Sequence, residues 1–303
     1  MSQEQSGILP EPAESALFLV LRLTDRARDA ARAAEAAARV PALLAALAKR
    51  EPRRRLVGTV GFGPALWDVL SPVRRPAALR AFPALPPHAP STGGDLLLHV
   101  AATRIDVCFE IAYAVRRELG GAAEVLEEVH GFRYLDGRDL TGFIDGTENP
   151  RGRGRAEAAL IGREDRAFAG GSCVFTQRYV HDLARWAGLA TREQEAVIGR
   201  RKRDSREISD RAKPANAHIA RVVIEEDGEE LEILRRSYPY GTTSEHGLFF
   251  IAYTRDLAIP EKMLRRMHGT GGPSDDLMEF TRAVSGATFF APSLPVLRKL
   301  ATR

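Results

Sequence analysis

Cysteine is almost absent from this chain. Two thiols in 303 residues, Cys108 and Cys173, cannot build a disulfide framework, so the expected setting is a reducing cytoplasm. Cys108 sits in the apolar string Val107-Cys108-Phe109 and reads as a core thiol. No apolar run is long enough to span a bilayer, so no membrane partner is expected. Residues 1–12 lack a basic start followed by an apolar run, and no secretory leader is expected. Excess charge is lacking too: a formal net charge of +4 gives no case for nucleic acid. The basic run Arg200-Arg201-Lys202-Arg203 is soon interrupted by Asp204, Glu207 and Asp210, with no aromatics interleaved for base stacking. A solvated, partly mobile loop reaching Lys213 is expected there.

What is present suits a globular protein with a sizeable core: 44% hydrophobic and 28% charged residues. The length allows one large domain or two smaller ones. Residues 15–23 read as a buried strand, followed by an Ala-rich helix over 27–49 that Thr24 or Asp25 caps and Pro41 kinks or breaks. A strand over 55–63, a Pro-rich loop over 71–94, a strand over 95–101, a helix from Thr103 to Leu119 and a strand within 123–134 follow. That order, βαββαβ, is the ferredoxin-like plan. The glycines of 58–63 lack the spacing of a nucleotide loop.

The second half repeats the plan less clearly. A strand is expected over 172–177, a two-piece helix over 181–200, and a hairpin around Asp227-Gly228 joining 220–224 to 231–235. An apolar strand over 248–253, a helix over 260–268, a loop over 269–273 and a helix within 276–284 complete it. The expected fold class is α+β: duplicated ferredoxin-like domains over 1–134 and 135–303, antiparallel sheets with peripheral helices.

The most informative string is Gly142-Phe143-Ile144-Asp145-Gly146-Thr147-Glu148-Asn149-Pro150. Asp145 is the one titratable side chain in its tight part, and Gly146 lets backbone approach a flat ligand. A turn held by an Asx hydrogen bond fits the same residues. Two further strings follow in order, Asn216-Ala217-His218-Ile219-Ala220-Arg221 and Ile233-Leu234-Arg235-Arg236-Ser237-Tyr238-Pro239-Tyr240-Gly241. Together the three resemble the signature segments of the dye-decolorising peroxidases (DyP-type haem peroxidases), and most closely their intracellular B-type branch.

The resemblance implies one haem b per chain, held in the second domain with the Asp145 loop folded over it. His218 would be the iron ligand, as imidazole suits iron. Glu279 or Asp276 would take the other ring N–H; the sequence leaves both open. Asp145 would relay the proton of hydrogen peroxide and Arg235 would stabilise charge on the departing oxygen. Ser237 stands where some family members carry Asn to position distal water, and its shorter hydroxyl donates one proton only. Ile144, Gly146, Thr147, Gln177, His181, Arg221 and Phe250 are further candidates for cofactor contact. Their ordinary explanations are turn, cap and core packing. No CxxCH is present, so covalent attachment is not expected. Trp67, Trp186, Tyr134, Tyr179, Tyr238, Tyr240 and Tyr253 are candidates to carry an oxidising hole, none preferred.

The expected activity is one-electron oxidation of dyes, phenolic or porphyrinogen-type donors at the expense of hydrogen peroxide, and an Asp relay implies better activity at acidic pH. The competing reading is haem or porphyrin binding and delivery without peroxidase turnover. The family's habits imply a homo-oligomer. No linker and docking tail follow Leu297-Arg298-Lys299-Leu300, so an encapsulin shell is not expected as a partner.

Overall fold

The computed structural model describes residues 3–71 and 74–302. Pro72 and Val73 of the Pro-rich stretch, and Met1 and Ser2 of the N-terminal segment, lie outside the described residues. Twelve strands are described: β1 (Ser15–Leu23), β2 (Val57–Phe62), β3 (Leu96–Ala102), β4 (Ala123–Phe132), β5 (Ser172–His181), β6 (Glu225–Glu226), β7 (Glu229–Glu230), β8 (Leu234–Arg235), β9 (Tyr238–Gly241), β10 (His246–Thr254), β11 (Thr281–Ala283) and β12 (Ala287–Ala291). The helices are α1 (Arg26–Arg50), α2 (Pro64–Leu70), α3 (Ile105–Leu119), α4 (Gly154–Ala159), α5 (Leu183–Ala187), α6 (Thr191–Ile198), α7 (His218–Val222), α8 (Ala258–Met267) and α9 (Leu294–Leu300).

All strands but the β6–β7 hairpin join one antiparallel sheet, ordered β11-β5-β12-β2-β3-β1-β4-β9-β10-β8, in which β5 also pairs β10. The extra pairing closes eight strands into a barrel-like ring and leaves β8 and β11 as side branches. The first half contributes β2-β3-β1-β4 and the second β12-β5-β10-β9. The two sets meet at seams of one residue pair each, Phe62 with Phe290 and Gly131 with Tyr240. A Cβ on Gly131 would lie 2.6 Å from the Tyr238 Cβ, so this seam closes over glycine alone.

Strand periodicity sorts the core into two layers. Leu17, Leu19, Leu21 and Leu23 of β1 face outward into the cluster built with α1 and α3. Ala16, Phe18 and Val20 face inward and pack with Tyr238, Phe249, Ile251, Tyr253 and Phe289. β1 is apolar throughout because both faces are covered. Phe18 sits at the centre of the interior, stacked 4.2 Å from Phe249 and 4.8 Å from His99 between ring centroids. Phe18→Ala is expected to lower stability by about 3–5 kcal/mol, read by denaturant titration. A loss well under 1 kcal/mol would mean that the interior repacks freely.

Three expected elements differ. α1 runs unbroken through Pro41, because its Ala-rich buried face (Ala30, Ala33, Ala34, Ala37, Val40) packs along its length and outweighs the lost backbone bond. Asp25 is its N-cap, accepting from Arg28 N–H at 3.1 Å. The expected strand over 220–224 is instead mostly the short helix α7, and the hairpin is confined to β6 and β7. The expected helix within 276–284 is a single 3-10 turn over Asp276–Glu279 followed by β11, because Thr281–Ala283 finds an open edge on β5.

Candidate active site

Alternation on two neighbouring strands builds one wall of a cleft. Phe175, Gln177, Tyr179 and His181 of β5, with Leu248 and Phe250 of β10, face away from the barrel interior and line it. Phe249, the neighbour in sequence, points into the barrel instead. α7 and α8 add Ile219, Val222, Met263, Leu264 and Met267, and the segment before β8 adds Leu231 and Ile233. Counted together with the open solvent at its mouth, the cleft spans about 1390 Å³ of free space, and its lining is mainly apolar.

His218 enters this cleft as the first residue of α7. Its Nδ1 pairs with Asp275 Oδ2 at 2.6 Å, which leaves Nε2 as the nitrogen available to a ligand. The Asp275 side chain is fully buried, and its other oxygen accepts from Leu277 N–H at 2.9 Å. This corrects the expected choice between Glu279 and Asp276. Asp276 accepts from Asn216 Nδ2 at 2.7 Å, and burial pushes its carboxyl up. Glu279 is drawn outward to Arg185 at 2.6 Å. The reason is local: Asp275 caps the 3-10 turn, and capping turns its carboxylate inward.

Asp145 and Arg235 also line the cleft, with Oδ1 and Nη1 3.2 Å apart. Asp145 Oδ1 further accepts from Gly146 N–H at 2.7 Å, and Gly146 has φ +75°, a conformation that favours glycine. Asn149 fastens the loop to β8: its Nδ2 donates to Arg235 O at 3.0 Å and its Oδ1 accepts from Arg235 N–H at 2.8 Å. In the sequence Asn149 stands only as one residue of the Asp145 string. An amide satisfies both groups of one backbone residue, and that pairing crosses 86 positions of sequence.

Ile144, Thr147, Gln177, His181 and Phe250 line the cleft. Gly146, Arg221 and Ser237 are not among its lining residues. The Arg221 guanidinium is buried against Arg266 O and Thr270 O at 3.1 Å, closing the end of α8. The Ser237 hydroxyl accepts from Ile251 N–H at 3.3 Å, on the neighbouring β10. Arg200, expected in a solvated loop, lines the cleft instead. It donates to Ser205 O at 2.6 Å and pairs with Glu148. Its position at the end of α6 was the available signal: Val197 and Ile198 beside it are buried against Trp186 and Phe280.

His181 has both ring nitrogens engaged, Nδ1 with Thr281 Oγ1 at 2.8 Å and Nε2 with Asp139 Oδ1 at 3.1 Å. Burial alone would raise the Asp139 carboxyl, but His181 and the Thr141 hydrogen bonds outweigh it and hold it at about 2. A lowered carboxyl stabilises the fold above its ordinary pKa, and that contribution fades as pH falls toward about 2. Asp139→Asn is expected to cost roughly 2 kcal/mol at pH 5 and about half that at pH 3, in denaturant titrations. A gap that stays constant or widens on acidification contradicts this.

Comparison with known proteins gives the class. The pattern described as Dyp-type peroxidase, N-terminal, matches residues 5–133, and Dyp-type peroxidase, C-terminal, matches residues 136–296. The chain belongs to the Dyp-type peroxidase family, whose activity is hydrogen-peroxide-dependent oxidation. It is 44% identical over 298 residues to the dye-decolorizing peroxidase of Mycolicibacterium paratuberculosis, covering 96% of this chain and 84% of that one. It is 41% identical over 302 residues to that of Rhodococcus erythropolis, covering 95% and 88%. A solved variant of Rhodococcus jostii RHA1 DypB in complex with heme superposes with a TM-score of 0.94 at 42% identity, over 99% of this chain and 100% of that one.

Proposed function

We propose that this chain is a haem b peroxidase in which His218 ligates the iron and Asp145 with Arg235 activates hydrogen peroxide. One observation carries the reading: the His218 imidazole, held through Nδ1 by a buried carboxylate with Nε2 left for a ligand, shares an apolar cleft with a carboxylate–guanidinium pair. The residues fit a haem. Among the described residues no group of three or more His, Cys, Asp or Glu forms a metal cage, and His181 has both ring nitrogens engaged, so the cleft offers one nitrogen donor, His218 Nε2, among mainly apolar walls. That donor set suits a metal carried by its own macrocycle. Arg200, which lines the cleft, fits a propionate better than Arg221, whose guanidinium is turned away from it onto backbone carbonyls.

When bound, haem iron supplies the electrons that cleave the peroxide O–O bond and recovers them from one-electron donors. The chain does the rest. Asp275 accepts the Nδ1–H of His218, fixing its tautomer and raising the basicity of Nε2. Asp145 Oδ2, the oxygen not tied to Gly146, takes the proton from one peroxide oxygen and delivers it to the other. The Arg235 guanidinium stabilises the charge on the departing oxygen. Asn149 holds carboxylate and guanidinium in register through the Arg235 backbone. Gln177, Thr147, Ile144 and Phe250 shape the cleft and limit water.

The strand orders β2-β3-β1-β4 and β12-β5-β10-β9 support reading the barrel as duplicated ferredoxin-like domains over 1–134 and 135–303, with haem in the second. Two free, buried thiols support a cytoplasmic setting. The exposed apolar residues Ile105, Phe109 and Tyr113 along α3 support homo-oligomer contact. The test is dye oxidation by the haem-loaded chain with and without hydrogen peroxide. Peroxide-dependent bleaching well above free haem is expected. Tight haem binding with bleaching no faster than free haem would leave binding or delivery as the function.

A further inference from the structure

Inside the barrel, on the far face of β10 from the cleft, lies a buried pair that the peroxide chemistry above does not use. Tyr253 is fully buried, and its hydroxyl lies 2.8 Å from Nδ1 of His99, itself 2% exposed. We propose that Tyr253 and His99 form a proton-coupled redox pair, in which Tyr253 gives an electron to the cleft and passes its phenolic proton to His99. This inference rests on the peroxidase reading.

The choice of tyrosine follows from the partners. Of six tyrosines, Tyr179 donates to Gln177 Oε1, Tyr238 to Ala13 O and Tyr240 to Tyr179 O. An amide or carbonyl oxygen accepts a hydrogen bond but does not keep the proton. Only Tyr253, among these, faces a ring nitrogen, which accepts its proton in the tautomer that carries hydrogen on Nε2. A phenol that has lost an electron is a far stronger acid than an imidazolium, so the proton moves across the existing bond as the electron leaves. Burial, and then the Arg236 charge, push the His99 imidazole down to about 3, so it is neutral before oxidation, and the acidity of the oxidised phenol drives the transfer against that shift. Burial raises the Tyr253 hydroxyl, so deprotonation without oxidation does not compete.

Position connects the pair to the cleft. Phe250 lines the cleft, and Tyr253 is three residues along the same strand, roughly 10 Å at about 3.3 Å per residue. Ala252 pairs with Arg235, and the buried Arg236 donates to Arg235 O at 3.1 Å. His99 is stacked on Phe18, which is stacked on Phe249, so the pair sits in a continuous aromatic column.

The balance is one electron and one proton. Tyr253 loses an electron to the oxidant that peroxide leaves in the cleft, which is thereby reduced by one equivalent. The phenolic O–H breaks, an N–H forms at Nδ1, and a neutral phenoxyl faces an imidazolium. A donor's electron later returns to Tyr253, and the proton goes back. The pair therefore acts as an internal electron donor when no substrate occupies the cleft.

The experiment is freeze-quench electron paramagnetic resonance of the haem-loaded, ¹⁵N-histidine-labelled protein after one equivalent of hydrogen peroxide without donor. A phenoxyl signal with ¹⁵N coupling from one histidine is expected, lost in Tyr253→Phe and kept in Tyr238→Phe. The labelled wild type decides the matter even where Tyr253→Phe does not fold. A cleft absorption that responds to peroxide with no such signal, or a signal unchanged in Tyr253→Phe, overturns the pair. Absorption unmoved by peroxide overturns the peroxidase reading instead. Flash oxidation by a ruthenium photosensitiser then still tests the pair, and no ¹⁵N-coupled phenoxyl there overturns it as well.

Discussion

His218→Ala is expected to weaken haem binding by at least the roughly 100-fold that marks the upper range for losing a ligand's supporting partner. The argument is one of donor count. Among the described residues no group of three or more His, Cys, Asp or Glu could hold a metal ion, and the other cleft histidine, His181, has both ring nitrogens engaged, so nothing replaces the lost nitrogen. The apolar cleft still offers hydrophobic contact, so some weak haem uptake persists with an altered absorption spectrum. Asp275→Asn makes the finer test. It keeps the size of the side chain at the 2.6 Å contact but removes the charge that polarises the ring, and is expected to cost about 10–100-fold in affinity. Glu279→Gln, at the exposed Arg185 pair, should leave affinity unchanged. Equal effects of the Asp275 and Glu279 substitutions in a haem titration would contradict the assignment.

Arg235→Leu is expected to slow the bimolecular reaction with peroxide by roughly 10²–10³-fold, the usual cost of removing a preorganised group aimed at developing charge. Leucine fills the space but carries no charge, and Asp145 loses its 3.2 Å partner at the same time. Asp145→Ala should slow the reaction by about 10²-fold, at the low end for a general acid–base group, because water can carry a proton but not the positive charge. Neither change should alter haem affinity much, since both leave His218 and Asp275 in place. Rapid-mixing absorption at several peroxide concentrations separates these effects. An Arg235→Leu rate within a factor of two of the native protein would remove Arg235 from the mechanism.

How legible the site was in the sequence depended on whether each contact was local. Asp145 and Gly146 were readable because a short loop and a glycine constrain each other within a few residues. The motif around His218 located the imidazole but not its partner. Asp275 is 57 residues away, and its inward turn depends on capping a 3-10 turn where a helix was expected. Arg221 and Ser237 lie inside or beside matched motifs, yet tertiary contacts direct both away from the cleft. Arg200 shows the reverse: a charged run reads as solvent-exposed until the packing of Val197 and Ile198 fixes its first residue against the cleft. The barrel closure was not legible at all. Each half carries the periodicity of an ordinary sheet, and the seams that join them rest on single residue pairs.

The most direct test of the central claim is the absorption spectrum of the haem-reconstituted chain, recorded before and within milliseconds after one equivalent of hydrogen peroxide. A histidine-ligated ferric spectrum that changes stoichiometrically with peroxide, and returns when an electron donor is added, is the predicted result. A haem spectrum that peroxide does not move would contradict it.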